Sequence, residues 1–302
     1  MSARGNRAVN RAQAKVPAAL SFTGQRNAIL ILLLVLAAAA WGWLAWHAMD
    51  PGMAMGMEAS SPTMGLRAPL FLAIWVTMMV AMMFPTAAPM ILAFNRVQAD
   101  RRQRGRAFVP TWTFVAGYMM VWTLAGLAAY LAALAAENAA ARSALSAATT
   151  ARIGGAILVA AGLYQLTPLK DICLSKCRSP FGFIVTSWRD GMLGALSMGL
   201  VHGGWCLGCC WLLFVIMFPL GMVNIAAMAA ITALVFAEKT LPWGHWAART
   251  AAAVLVVYGA VVIARPEALP TFMPAGARAT SAGAAMAQLM KLPVGTASPA
   301  TP

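Results

Sequence analysis

Charged side chains make up only 10% of this 302-residue chain, and acidic ones are scarcer still, with 8 Asp and Glu against 22 Lys and Arg. Soluble domains carry about a quarter charged and about half apolar residues. A chain with 61% hydrophobic residues and a mean hydropathy of +0.74 is excluded from that class. Also lacking are a Walker-type loop, a dinucleotide fingerprint and a Ser/His/Asp arrangement, so nucleotide-driven transport has no support and nothing requires catalysis. No second folded domain is visible. The formal charge of +14 is not interleaved with aromatics, so nucleic acid is not an expected partner.

What is present are apolar runs near the ~20 residues that cross a bilayer. They predict an all-α, polytopic membrane helix bundle of about seven transmembrane helices, at 28–46, 69–93, 108–135, 152–167, 190–218, 223–243 and 248–264. The first run, AILILLLVLAAAAWGWLAW, is too long for a signal-peptide core and lacks a small-residue cleavage site, so it is expected to be retained. Trp41, Trp43 and Trp46 mark an interface. Basic residues before the first helix, and others at 96–106, 170–189 and 239–249, put those segments and the N-terminus on the cytoplasmic side, with the C-terminus outside. The basic segment 1–25 reads as a cytoplasmic tail preceding a transmembrane domain at 26–265. Residues 266–302, rich in Ala, Pro, Ser, Gly and Thr, read as a flexible tail with at most a short helix near 282–291.

The stretch LVHGGWCLGCCWLL at 200–213 sets soft, reactive groups inside the fifth span. On a helix, His202, Cys206 and Cys209 or Cys210 recur at i, i+4 and i+7 or i+8, one face, which Met198 extends by a turn. Unpartnered polar groups near the bilayer midplane are costly, and imidazole with thiolate is a ligand set for copper(I) or zinc. Two other readings stand beside this one. Gly199–Gly203 and Gly204–Gly208 are G-x-x-x-G steps, so the segment could be a close-packed helix of a structural membrane subunit. Cys206 and Cys209 also match a C-x-x-C dithiol, which suggests a membrane thiol-disulfide redox protein, although no βαβ unit surrounds the pair.

Further sulfur lies elsewhere. Cys173 and Cys177, in a loop read as cytoplasmic, have the i, i+4 spacing of a two-thiolate site if that loop is helical. Methionine, 21 residues in all, gathers at HAMDPGMAMGM on the outer side and at WVTMMVAMMFPTAAPM in the second span. Thioethers bind copper(I) without deprotonation, so His47, Met49, Met53, Met55 and Met57 are an outer collecting set. In the second span, Met78 with Met82 and Met79 with Met83 form adjacent faces, ahead of Pro85 and Pro89, each able to kink or end the helix. Core packing is the alternative role for these methionines. Glu238 and Lys239, an ionisable pair enclosed by membrane, are expected to stabilise a helix end or carry a proton or ligand. His245, between Trp243 and Trp246, reads as interfacial.

The segments WVTMMVAMMFPTAAPM, TPLKDICLSKCRSP, GGWCLGCCWLL and GMVNIAAM, with Glu238-Lys239, resemble a bacterial family of predicted metal-binding integral membrane proteins over about residues 70–265, with G-x-x-C-x-G-C-C-W as the most specific element. The resemblance implies a multi-pass protein of the bacterial inner membrane that handles a metal, copper first. It does not extend to His202 or the outer Met loop, which rest on residue chemistry alone. The expected site combines Cys206, Cys209 and Cys210 with His202, Met79, Met83, Cys173 and Cys177. The expected work is copper delivery to a membrane or periplasmic cuproenzyme, exchange with a metallochaperone, or export.

Overall fold

A computed structural model describes residues 22–49, 61–143 and 145–269, and every regular element within them is helical. In chain order the helices are α1 (Phe22–Met49), α2 (Ala68–Gln103), α3 (Thr111–Arg142), α4 (Ala147–Tyr164), α5 (Pro168–Arg178), α6 (Pro180–Ser187), α7 (Gly191–Val215), α8 (Met217–Leu220), α9 (Ile225–Thr240) and α10 (Gly244–Ala264). Among the described residues, six stretches are long and apolar enough to cross a membrane: 24–48, 68–103, 111–142, 147–164, 191–220 and 244–264.

The sixth expected span, 223–243, is a shorter helix. α9 has 16 residues, about 24 Å at 1.5 Å per residue, less than a ~30 Å hydrocarbon core. Both of its ends are set locally. The Asn224 side chain accepts from the Ala227 N–H at 3.1 Å at the start. At the other end Pro242 disfavours helical geometry in the residue before it, and Leu241 is extended at φ −90°, ψ 144°. The same logic moves the fourth span. Ser146 caps α4 ahead of the expected start, and Thr167, before Pro168, is extended at φ −80°, ψ 145°. The expected loop over 170–189 is two short helices, α5 and α6.

Both prolines of the second span lie inside a continuous α2. Pro85 has no N–H to give the Ala81 carbonyl, four residues back. The indole of Trp41 supplies the missing donor, with Nε1 3.1 Å from Ala81 O. This ties α1 to α2 and gives Trp41 a task within the bundle beyond marking an interface. A second indole closes the bundle on the α3 side. Trp75 Nε1 donates to Trp122 O at 2.9 Å, and its ring occupies space that only a glycine at 126 leaves open.

Opposite ends of the bundle are tied by polar contacts. Arg101 of α2 pairs with Asp190, just before α7, at 2.8 Å. At the far end Glu137 of α3 accepts from Ser61 Oγ at 2.5 Å and Thr63 N at 2.7 Å, anchoring the turn ahead of α2. Between these ends, α4, α5 and the end of α9 converge on the middle of α7. Tyr164, the last residue of α4, donates to Gly208 O at 2.5 Å, and Arg178 at the end of α5 donates to Leu241 O at 2.8 Å.

Candidate metal centre

The buried side of α7 carries Met198, His202, Cys206, Cys209 and Cys210, with Gly199 and Gly203 among them. The glycines let α7 approach α3 closely: a Cβ on Gly199 would collide with Phe114 O, and one on Gly203 would lie 2.9 Å from Val121 Cβ. Gly204 has nothing within 4 Å, so only the first of the two G-x-x-x-G steps is a helix contact at both glycines. Gly208, in the second step, faces the sulfur of Cys173.

Cys206, fully buried, is the hub. Its sulfur lies 3.0 Å from Lys239 Nζ and 3.2 Å from the Tyr118 hydroxyl. Cys209 and Cys210 turn their thiols back to donate to Cys206 O, at 3.1 and 2.8 Å. From α5, Cys177 presents its buried thiol toward Cys206 and Cys209 of α7. All five cysteines are free and buried.

α5 is where the expected loop cysteines join the centre. Thr167 caps it, and its buried face presents Lys170, Cys173, Leu174 and Cys177 at helical spacing. Burial raises the Cys173 thiol above its ordinary value, with Cys209 adding to the effect. Hydrogen bonds with Cys206 and Cys209, and then burial, hold the Cys177 thiol well above its own. Both are therefore neutral thiols until a bound cation displaces the proton.

Glu238 and Lys239 do not pair with each other. Neighbours on a helix point about 100° apart, so each finds its own partner. Glu238 accepts from Lys170 Nζ at 2.7 Å, with both side chains 1% exposed, and Lys170 also donates to Gln165 Oε1. Lys239 turns to Cys206. His202 is stacked against Phe114 and Tyr118 at centroid distances of 5.9 and 5.6 Å and meets Phe183 edge-on at 5.5 Å, and its Nδ1 has no hydrogen-bond partner. Beside it a cavity of about 230 Å³ is lined by Thr86, Met90, Cys177, Arg178, His202 and Lys239, among others.

Met79 and Met83 are fully buried in α2, and Met83 meets the Thr86 hydroxyl at 3.9 Å. The methionine lining the cavity is Met90, two turns further on. His47 stacks on Trp43 at 4.2 Å, and His245 lies 5.4 Å from Trp246. Met53, Met55, Met57 and the segment 282–291 lie outside the described residues, as does the side chain of Met49. Lys170, Tyr118 and Met90 are site residues that the sequence reading passed over. Lys170 was discoverable, since it stands three and seven residues before Cys173 and Cys177 on one helical face. Met90 closes the methionine-rich segment of the second span, whereas Tyr118, from α3, carries no local signal.

Among the described residues, no three His, Cys, Asp or Glu side chains already stand as a finished cage. The thiols instead bond to one another and to Cys206 O. Thiol, thioether and imidazole groups near an ammonium suit a soft, low-coordinate cation better than an oxygen-seeking one, the thiols giving up their protons to the metal. A family model described as PpoB2, copper chaperone, matches residues 72–262. Neither the curated proteins nor the solved structures gave a match.

Proposed function

The chain belongs to the copper chaperone family, and from that premise we propose that it holds copper(I) at the sulfur cluster of Cys206, Cys209 and Cys177 and delivers it to a cuproenzyme. The observation that carries this reading is the Cys206 sulfur 3.0 Å from the ammonium of Lys239, with Cys209 and Cys210 on the same buried side of α7 and Cys177 on the buried face of α5. Copper(I) bound by two thiolates carries one net negative charge, which is costly to bury alone. Lys239 offsets it. Cys210 and His202 flank the cluster as further donors, while Met79 and Met83 supply soft packing deeper in α2. Zinc would want four ligands in tetrahedral array, a larger rearrangement of this set.

The setting is a multi-pass protein of the bacterial inner membrane, with the Arg101–Asp190 end facing the cytoplasm by its basic residues. Partners are then the lipid bilayer, a cytoplasmic copper donor and a cuproenzyme acceptor.

Copper content of the detergent-purified protein tests the reading. The wild type should carry near-stoichiometric copper and a Cys206→Ser/Cys209→Ser variant should lose it; copper retained by the variant would overturn the assignment. The placing of the Cys177 thiol toward Cys206 and Cys209 also favours a second reading, a dithiol that cycles between helices α5 and α7. That reading requires a metal-free wild type whose thiol titre falls by two on oxidation and is restored by reductant.

A further inference from the structure

The copper reading leaves open how a cation that cells do not leave free reaches a buried cluster. The cavity beside it combines features from four elements. Met90 comes from α2, Cys177 and Arg178 from the end of α5, His202 from α7 and Lys239 from the end of α9. Three of these are soft donors, and His202 is the unexplained one: it is 3% exposed, yet its Nδ1 has no partner. A buried polar atom left unsatisfied costs free energy unless something else fills its need. The remaining two, Arg178 and Lys239, are cations.

Resting on the copper reading, we infer that this cavity is a loading site that accepts copper(I) as an anionic complex with a small thiol, and that Cys177, His202 and Met90 take the metal over before it passes to Cys206. A copper(I) ion held by two thiolates is an anion, which matches the two cationic side chains. The cavity volume of about 230 Å³ suits a small thiol and not a protein segment. In the exchange, a Cys177 sulfur–copper bond forms as one carrier sulfur–copper bond breaks. The Cys177 proton goes to the departing thiolate, and copper stays copper(I) throughout. Cys177 lines the cavity together with Lys239, whose ammonium is 3.0 Å from the Cys206 sulfur, so it stands between the arriving complex and the resident cluster.

The test is the rate of loading of the full-length protein in detergent from two probes, copper(I)–glutathione, an anionic complex, and copper(I)–acetonitrile, a cationic one. Arg178→Gln should slow loading from the glutathione complex about tenfold, the low end of electrostatic steering. It should leave loading from acetonitrile unchanged, and Arg178→Lys should restore the rate. His202→Gln and Met90→Leu should slow loading from both probes, and Met90→Leu should do so without lowering the final copper content. Equal slowing of both probes by Arg178→Gln, or wild-type rates in His202→Gln and Met90→Leu, would overturn the loading site while leaving the cluster intact. A wild type that takes up no copper from either probe would instead sink the copper reading itself.

Discussion

Lys239 and Cys206, 33 positions apart in sequence, meet at 3.0 Å in the interior, where the ammonium of α9 has a sulfur of α7 as its neighbour. If the ammonium balances a copper–thiolate charge, then Lys239→Met keeps the bulk and removes the balance. Removing an outer partner of this kind costs 10–100-fold in metal affinity. Competition against a copper(I) chelator should show a loss in that range, with Lys239→Arg much closer to wild type. An unchanged affinity in Lys239→Met would remove Lys239 from the site.

The Lys170–Glu238 pair, at 2.7 Å and 1% exposure on both sides, fastens α5 to α9. Breaking a buried pair from one side leaves an uncompensated charge, at about 3–5 kcal/mol. Glu238→Gln and Lys170→Met should each lower the thermal midpoint in detergent. The double variant Lys170→Met/Glu238→Leu should recover most of the loss, and additive losses would mean the two residues act separately.

Trp41 stands in for the N–H that Pro85 cannot offer to Ala81. Trp41→Phe keeps the ring and removes the donor, leaving a helix carbonyl short of a partner, at about 1–3 kcal/mol. Adding Pro85→Ala should rescue much of it by restoring the backbone donor. Thermal unfolding of the four proteins in this cycle checks the claim, and absence of rescue would reject it.

Gly199 and Gly204 are one and a half turns apart and should respond in opposite ways. Gly199→Ala drives a methyl into Phe114 O and should destabilise by about 1–3 kcal/mol. Gly204→Ala meets nothing within 4 Å and should be neutral or stabilising by about 0.5–1 kcal/mol through helix propensity. Equal effects would mean that the α3–α7 contact is looser than its geometry.

Much of this architecture is readable from local pattern. The α7 face from Met198 to Cys210 follows from helical spacing, and the helical membrane class follows from long apolar runs. What escapes is whatever depends on neighbours. Cys173 and Cys177 read as a two-thiolate site if their loop is helical, but nothing local to that segment shows that the buried face of α5 packs against α7. Glu238 and Lys239 read as a pair because they are adjacent, whereas helix geometry separates them and tertiary packing supplies Lys170 and Cys206. Met90, rather than Met79 or Met83, lines the cavity, because the relative depth of α2 and α7 is not written in either helix alone.

Beyond Cys206, on the side away from Arg101 and Asp190, the indole of Trp122 sits edge-on to Phe214 at 5.0 Å, with Trp75 6.2 Å from the same ring. Such a stopper of interlocked aromatics leaves an ion at the cluster facing a wall in that direction, and the α3–α7 glycine contact keeps the wall from parting without loss of packing. On the copper reading, the cluster serves as a berth approached from the α5 flank. Release toward the opposite face would then be gated by helix movement, and its rate should follow the stiffness of the bundle more than the strength of the copper–sulfur bonds.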